Sequence, residues 1–188
     1  MRQIVTYLLS SLLFVWIGVQ QGYAQHLALK TNGLSLLAGV PNLGFEMVVG
    51  ERSSLDVSAY GGYHPYGNDV RIVGIQPEYR YWFNGRPMVR EYIGIALLAA
   101  NYDLHWRKHI YDGVAVGIGI TMGYSFPIGK RLNIECSAGF GAIRFWHQQY
   151  YKYDNFSDYE TNNQGKTNAR GYKLFPAKLA VSISYVIW

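Results

Sequence analysis

Two long alternating runs, Val114 to Phe126 and Leu132 to Phe145, constrain this chain more than any other feature. In the first, Val114, Val116, Ile118, Ile120, Met122, Tyr124 and Phe126 share one phase, while Ala115, Gly117, Gly119, Thr121, Gly123 and Ser125 take the other. The second sets Leu132, Ile134, Cys136, Ala138, Phe140 and Ala142 against Asn133, Glu135, Ser137, Gly139 and Gly141. Successive side chains of a strand point to opposite faces, so both runs read as β-strands with one oily and one small or polar face. Pro127 to Arg131 supplies the turn between them.

Eight such runs are expected between Leu27 and Trp188. They are Leu27 to Ala38, Leu43 to Val49, Ser54 to Tyr63, Arg71 to Phe83, Glu91 to Tyr102, Val114 to Phe126, Leu132 to Phe145 and Tyr172 to Ile187. Most reach the roughly 9–11 residues that a tilted strand needs to cross a bilayer. No helical periodicity and no internal domain boundary interrupts them. The connections alternate in length. Gly50 to Ser53, Asn84 to Arg90 and Gly129 to Arg131 are short, whereas Tyr63 to Val70, Asp103 to Gly113 and Gln148 to Gly171 are longer and polar. Gly39 to Asn42 is the one short connection on the long side.

The amino terminus reads as a targeting segment. Arg2 precedes an apolar stretch from Ile4 to Val19, and Gly22-Tyr23-Ala24 offers small residues where a signal peptidase reads. Residues 1–24 are therefore expected to be a cleaved signal peptide, and residues 25–188 one domain. Cys136 is the single cysteine, so no disulfide framework accompanies export. The net charge of +5 is spread without a dense basic run, which makes nucleic acid a poor partner.

Alternation alone leaves two solvents open. A soluble lipocalin-like barrel would keep its oily phase inside, and a membrane barrel would turn it outward. The leader and the unequal connections favour the second. The expected fold class is all-β: an eight-stranded antiparallel transmembrane β-barrel in a Gram-negative outer membrane, with short periplasmic turns. Eight strands leave an interior just wide enough for side chains. Lys30, Glu46, Asp56, Glu78, Arg80 and Glu135 lie on the polar phase and are expected to pair there as an internal charge plug.

Several strings are familiar in this order. They are Ala28 to Asn32, Pro41 to Glu46, Ser54 to Ser58, Gln76-Pro77-Glu78-Tyr79-Arg80-Tyr81-Trp82, Gly129 to Glu135 and Pro176 to Leu179. Together they resemble an uncharacterised outer-membrane barrel family of Bacteroides-like bacteria, known as domain of unknown function 3575. The resemblance implies an eight-stranded barrel, sometimes encoded near fimbria-like surface genes, and brings no catalytic residues. Pro77 lacks a ladder donor, so a bulge is expected around it.

Function is expected in the connections. Trp106, Arg107 and Lys108 are placed to touch lipopolysaccharide at an aromatic girdle, and Tyr151, Tyr153 and Tyr159 suit recognition of a surface or fimbria-like protein. His105 and His109 beside Asp103 and Asp112 have no spacing that enforces a metal site. Cys136, on the oily phase, is expected to be an unreactive buried thiol. No metal or cofactor is expected. The leading expectation is a non-enzymatic, plugged barrel that anchors surface assemblies. The alternative is a lipid-modifying enzyme with a rim site drawn from His64, His147 and Ser157.

Overall fold

The computed structural model of the chain describes residues 26–67, 69–106, 109–151 and 169–187, with the backbone alone at Trp106. The expected signal peptide lies outside these residues. The elements run β1 (Leu27–Asn32), α1 (Gly33–Leu37), β2 (Asn42–Gly50), β3 (Ser53–Tyr63), β4 (Val70–Trp82), β5 (Arg90–Trp106), β6 (His109–Pro127), β7 (Leu132–Tyr151) and β8 (Ala169–Val186). Each strand pairs antiparallel with the next. β8 returns to β1, pairing Lys30 with Ser184 and Asn32 with Ser182, so the sheet closes into an eight-stranded barrel. The closing seam is short: above Ser182, β8 pairs with β7 alone.

The two phases separate as the alternation requires. Ile118, Ile120, Met122, Phe140, Leu179 and Ile183 stand outward and exposed. Lys30, Glu46, Asp56, Glu78, Arg80 and Glu135 are buried inside. The usual polarity of a globular protein is inverted. Cys136 keeps the outward phase and is exposed, so it is not the buried thiol expected of it.

Four local expectations need correction. β1 stops at Asn32, because its side-chain Oδ1 accepts the Leu34 N–H at 3.1 Å and starts α1, a turn too short to leave a helical period. The β1–β2 connection is therefore Gly33 to Pro41 and not the short Gly39 to Asn42. The polar stretch Asp103 to Gly113 is no open loop, since β5 and β6 pair across it as far as Trp106 and His109. Pro77 makes no bulge: pairing with β5 lapses between Ile75 and Glu78 and resumes in the same register. The bulges fall between Val48 and Gly50 in β2 and opposite Gly139–Gly141, where β8 carries Pro176.

Wall height is uneven. β1 and β2 span 6 and 9 residues, and β5 to β8 span 17 to 20. The tall side rises past the apolar band on the face away from the short turns. The low end is sealed differently. Met88, in the β4–β5 connection, packs with Ala28 and Val48, and its carbonyl accepts from Ser125 Oγ and Asn133 Nδ2, each at 2.9 Å.

Between tall strands the backbones touch. A Cβ at Gly141 would stand 2.3 Å from the Ile118 carbonyl oxygen, whereas one at Gly129, in a turn, would meet nothing within 4 Å. Gly141→Val should therefore cost about 1–3 kcal/mol of unfolding free energy. Gly129→Ala should change it by under about 0.5 kcal/mol. Urea titration followed by tryptophan fluorescence reads both, and an unaltered midpoint for Gly141→Val would contradict the close approach.

Candidate functional site

The string Gln76 to Trp82 shows how alternation builds the interior. Gln76, Glu78, Arg80 and Trp82 point inward from β4, and Tyr79 and Tyr81 point out. Arg80 is the hub. Its guanidinium meets Glu46 at 2.9 Å, Asp56 at 3.2 Å, Glu78 at 2.9 Å and Glu135 at 3.1 Å, and it lies 4.6 Å from the Tyr92 ring centre. Lys30 bonds Glu46, stands 2.5 Å from Glu135 and 3.4 Å from Asp56. All six residues expected in the charge plug are thus in one cluster, at most 5 % exposed.

Two members are additions to that set. Lys178 of β8 reaches Glu78 at 2.5 Å, so three cations face four carboxylates. Trp82 lies fully buried below the cluster, donating from Nε1 to Ser54 Oγ at 2.8 Å, and Ser54 donates in turn to Glu46 at 2.5 Å. Tyr92 donates to Glu135 at 2.9 Å, and Thr121 to Glu78. Charge inside a barrel is tolerable only when paired and hydrogen-bonded, and these neighbours complete the shells of the carboxylates. Gln76 reaches across the lumen to the Ala177 carbonyl at 2.8 Å, beside the bulge of β8.

The plug fills only the turn-side half. Above it the barrel holds a cavity of ≈ 890 Å³. Lys30, Asp56, Arg80 and Glu135 form its floor, and Ile72, Leu98, Ile143, Phe145 and Phe175 its walls. The expectation of a wholly filled interior is corrected here. Inward positions at this level carry Ala100, Ala115, Gly117 and Ala177, which are too small to fill the lumen.

The remaining candidates lie apart from the plug, and Asp69 joins two of them, His64 and His105. Asp103 and Asp112 face each other across β5 and β6; His105 sits 3.5 Å from Asp69 and 3.2 Å from Asp103; His109 packs on Tyr151 at 4.5 Å between ring centres. Among the described residues no group of three or more His, Cys, Asp or Glu side chains is placed to hold a metal ion. His64 pairs with Asp69 at 3.3 Å, whereas His147 meets the Tyr102 hydroxyl at 2.9 Å. Arg107, Lys108, Tyr153, Ser157, Tyr159 and the Trp106 side chain lie outside the described residues. A basic and aromatic patch does stand on the outer face, elsewhere than expected. Arg144 of β7 lies 4.7 Å from the Trp146 ring and 5.2 Å from the Tyr172 ring, and Arg170 is paired across from Trp146. Its signal was visible as outward-phase arginines beside aromatics at the far ends of β7 and β8.

The hub makes a testable demand. Arg80→Met leaves buried carboxylates without their shared partner and should cost about 3–5 kcal/mol. The double variant Lys30→Met/Glu135→Gln removes one charge of each sign and should be milder than Lys30→Met alone. Unfolding midpoints in detergent measure both, and an Arg80→Met protein as stable as wild type would refute the hub.

No curated protein and no solved structure matches the chain. A family model does, over residues 10–187, spanning every strand of the barrel. The chain belongs to the family described as protein of unknown function (DUF3575).

Proposed function

We propose that this chain spans the outer membrane of a Gram-negative cell as a small barrel without enzymatic activity, acting as a structural or accessory anchor for surface, fimbria-like assemblies. The observation that carries the reading is the inverted polarity. Soluble monomers rarely expose apolar patches beyond a few hundred Å². Here Ile93, Ile95, Ile118, Ile120, Phe140, Leu179 and Ile183 are all 41 % exposed or more, on β5 to β8, while paired charges fill the inside. Hydrocarbon is the solvent that suits such a surface, and closure of the sheet pairs the backbone around the ring, apart from the second edge of β8 above Ser182.

Two further features support the placement. Short turns gather at one end and the tall strands at the other, as in barrels with periplasmic turns and larger outer parts. The Arg144–Trp146–Tyr172 patch lies beyond the apolar band, where aromatic girdles and lipopolysaccharide phosphates meet. The charge cluster and the Met88 seal close the low end, so the barrel does not conduct. Binding of a surface protein then falls to the outer rim, with Tyr151 at the end of β7.

Three measurements test the reading. Folded protein should migrate faster than boiled protein on a detergent gel, and identical bands would refute a membrane barrel. Planar bilayers should show no steady conductance, and a large stable pore would refute the plug. Replacing Arg144 and Arg170 by Gln should reduce the thermal stabilisation given by lipopolysaccharide over neutral detergent, by about 1 kcal/mol per arginine. An undiminished effect would remove the patch from lipid contact.

A further inference from the structure

The half-empty lumen is the feature that the anchoring role leaves unused. Its ≈ 890 Å³ lies within the roughly 300–1,000 Å³ of small-molecule sites, which are typically apolar with a few placed polar groups. Ile72, Leu98, Ile143, Phe145 and Phe175 make the walls oily. The charges of the floor are already paired with one another, and among the described residues Arg80 Nε alone of that guanidinium's nitrogens has no partner. A further charge stands higher up. Lys173 lines the cavity, and its ammonium lies 5.6 Å from the Phe145 ring centre. Among the described residues it meets no carboxylate within ion-pair distance. Lys178 and Lys173 are paired with Gly139 and Ile143 of β7, four residues apart. At ~3.3 Å per residue these positions, which bracket the oily shaft, are about 13 Å apart along the strand, or about 10 Å along the barrel axis for a strand tilt of about 40°.

A route into the shaft is built into the wall. β1 ends where Asn32 pairs with Ser182, but β8 continues upward to Ala169. Above Ser182, β8 has β7 on one side and only α1 near its other edge, where Asn32 Nδ2 donates to the Leu179 carbonyl at 3.3 Å. Leu34, Leu36 and Leu37 of α1 are exposed at this sill.

We propose that the cavity binds a single-chain amphiphile with an anionic head, of the fatty-acid class, its chain in the shaft and its carboxylate on Lys173. Length, wall chemistry and a cation that meets no carboxylate among the described residues select it together. A cationic amphiphile would place like charge beside Lys173, and a neutral one would gain nothing from it. Entry over the α1 sill from the lipid phase rests on the membrane placement proposed above; binding itself rests on the cavity alone.

Radiolabelled dodecanoate, dodecanol and dodecyltrimethylammonium are to be titrated against the full chain in lipid nanodiscs, with empty nanodiscs as the baseline. The expected result is one saturable site per chain for dodecanoate, at least about tenfold tighter than for either of the others. Lys173→Glu, an exposed change, should erase that preference. Ala115→Phe, on the buried wall, should abolish binding of all three. Equal affinities for the three heads, a preference that survives Lys173→Glu, or no saturable site would each overturn the proposal. The boiled and unboiled gel on the same samples separates failure to bind from failure to form a membrane barrel. If Ala115→Phe does not fold, Lys173→Glu still decides.

Discussion

The rest of this molecule depends on one guanidinium held among four carboxylates. A closed antiparallel barrel with oil on its outside must put its polar phase inside, and a lumen this narrow strips water from whatever stands there. Arg80 makes that tolerable. Its planar fork serves several acceptors at once, which a lysine in the same place does not. Lys30 and Lys178 then complete a lattice in which each of the four carboxylates meets two cations: Lys30 and Arg80 at Glu46, Asp56 and Glu135, and Arg80 and Lys178 at Glu78. Carboxylates come from β2, β3, β4 and β7, and cations from β1, β4 and β8, so the cluster cross-links nearly the whole circumference.

Above this layer the same alternation has a different outcome. The inward phase passes from long charged side chains to alanine and glycine on β5 and β6, with larger apolar groups on β4 and β7. Small residues let neighbouring strands lie close, yet they leave the lumen itself open. The barrel is therefore two devices stacked on one wall: a packed ionic floor and an oily well.

Much of this was legible in the sequence because period-two alternation is unambiguous over long strands. Lys30, Glu46, Asp56, Glu78, Arg80 and Glu135 all sit in the polar phase of their runs, and closing the sheet has no choice but to gather them. Other features were hidden for physical reasons. In β8, Leu174 and Leu179 both face out although they are an odd number of residues apart, because the bulge at Pro176 resets the phase. Lys178 is easily passed over in such a run. The helix Gly33–Leu37 is little more than one capped turn, too short to show its repeat twice. Asp103 to Gly113 looked like a loop because its side chains are polar, but backbone pairing, and not side-chain oil, carries β5 and β6 past the apolar band. The cavity depends on volumes summed around a ring, which no single strand displays.

The shortness of β1 bears on how the ring is completed. The β1–β8 seam extends only from Ala28 to Asn32 on β1, whereas β6 and β7 are zipped along their full length. A seam so brief contributes few ladder bonds, so the last joint of the barrel is its weakest in backbone terms. Yet Lys30 sits within that seam, and its ammonium reaches Glu46 on β2 and Glu135 on β7. Until β1 docks, those carboxylates lack one of their two cations. Joining the ends of the sheet and neutralising its interior are then a single cooperative event, and an unclosed barrel carries an electrostatic penalty that its missing hydrogen bonds alone would not impose.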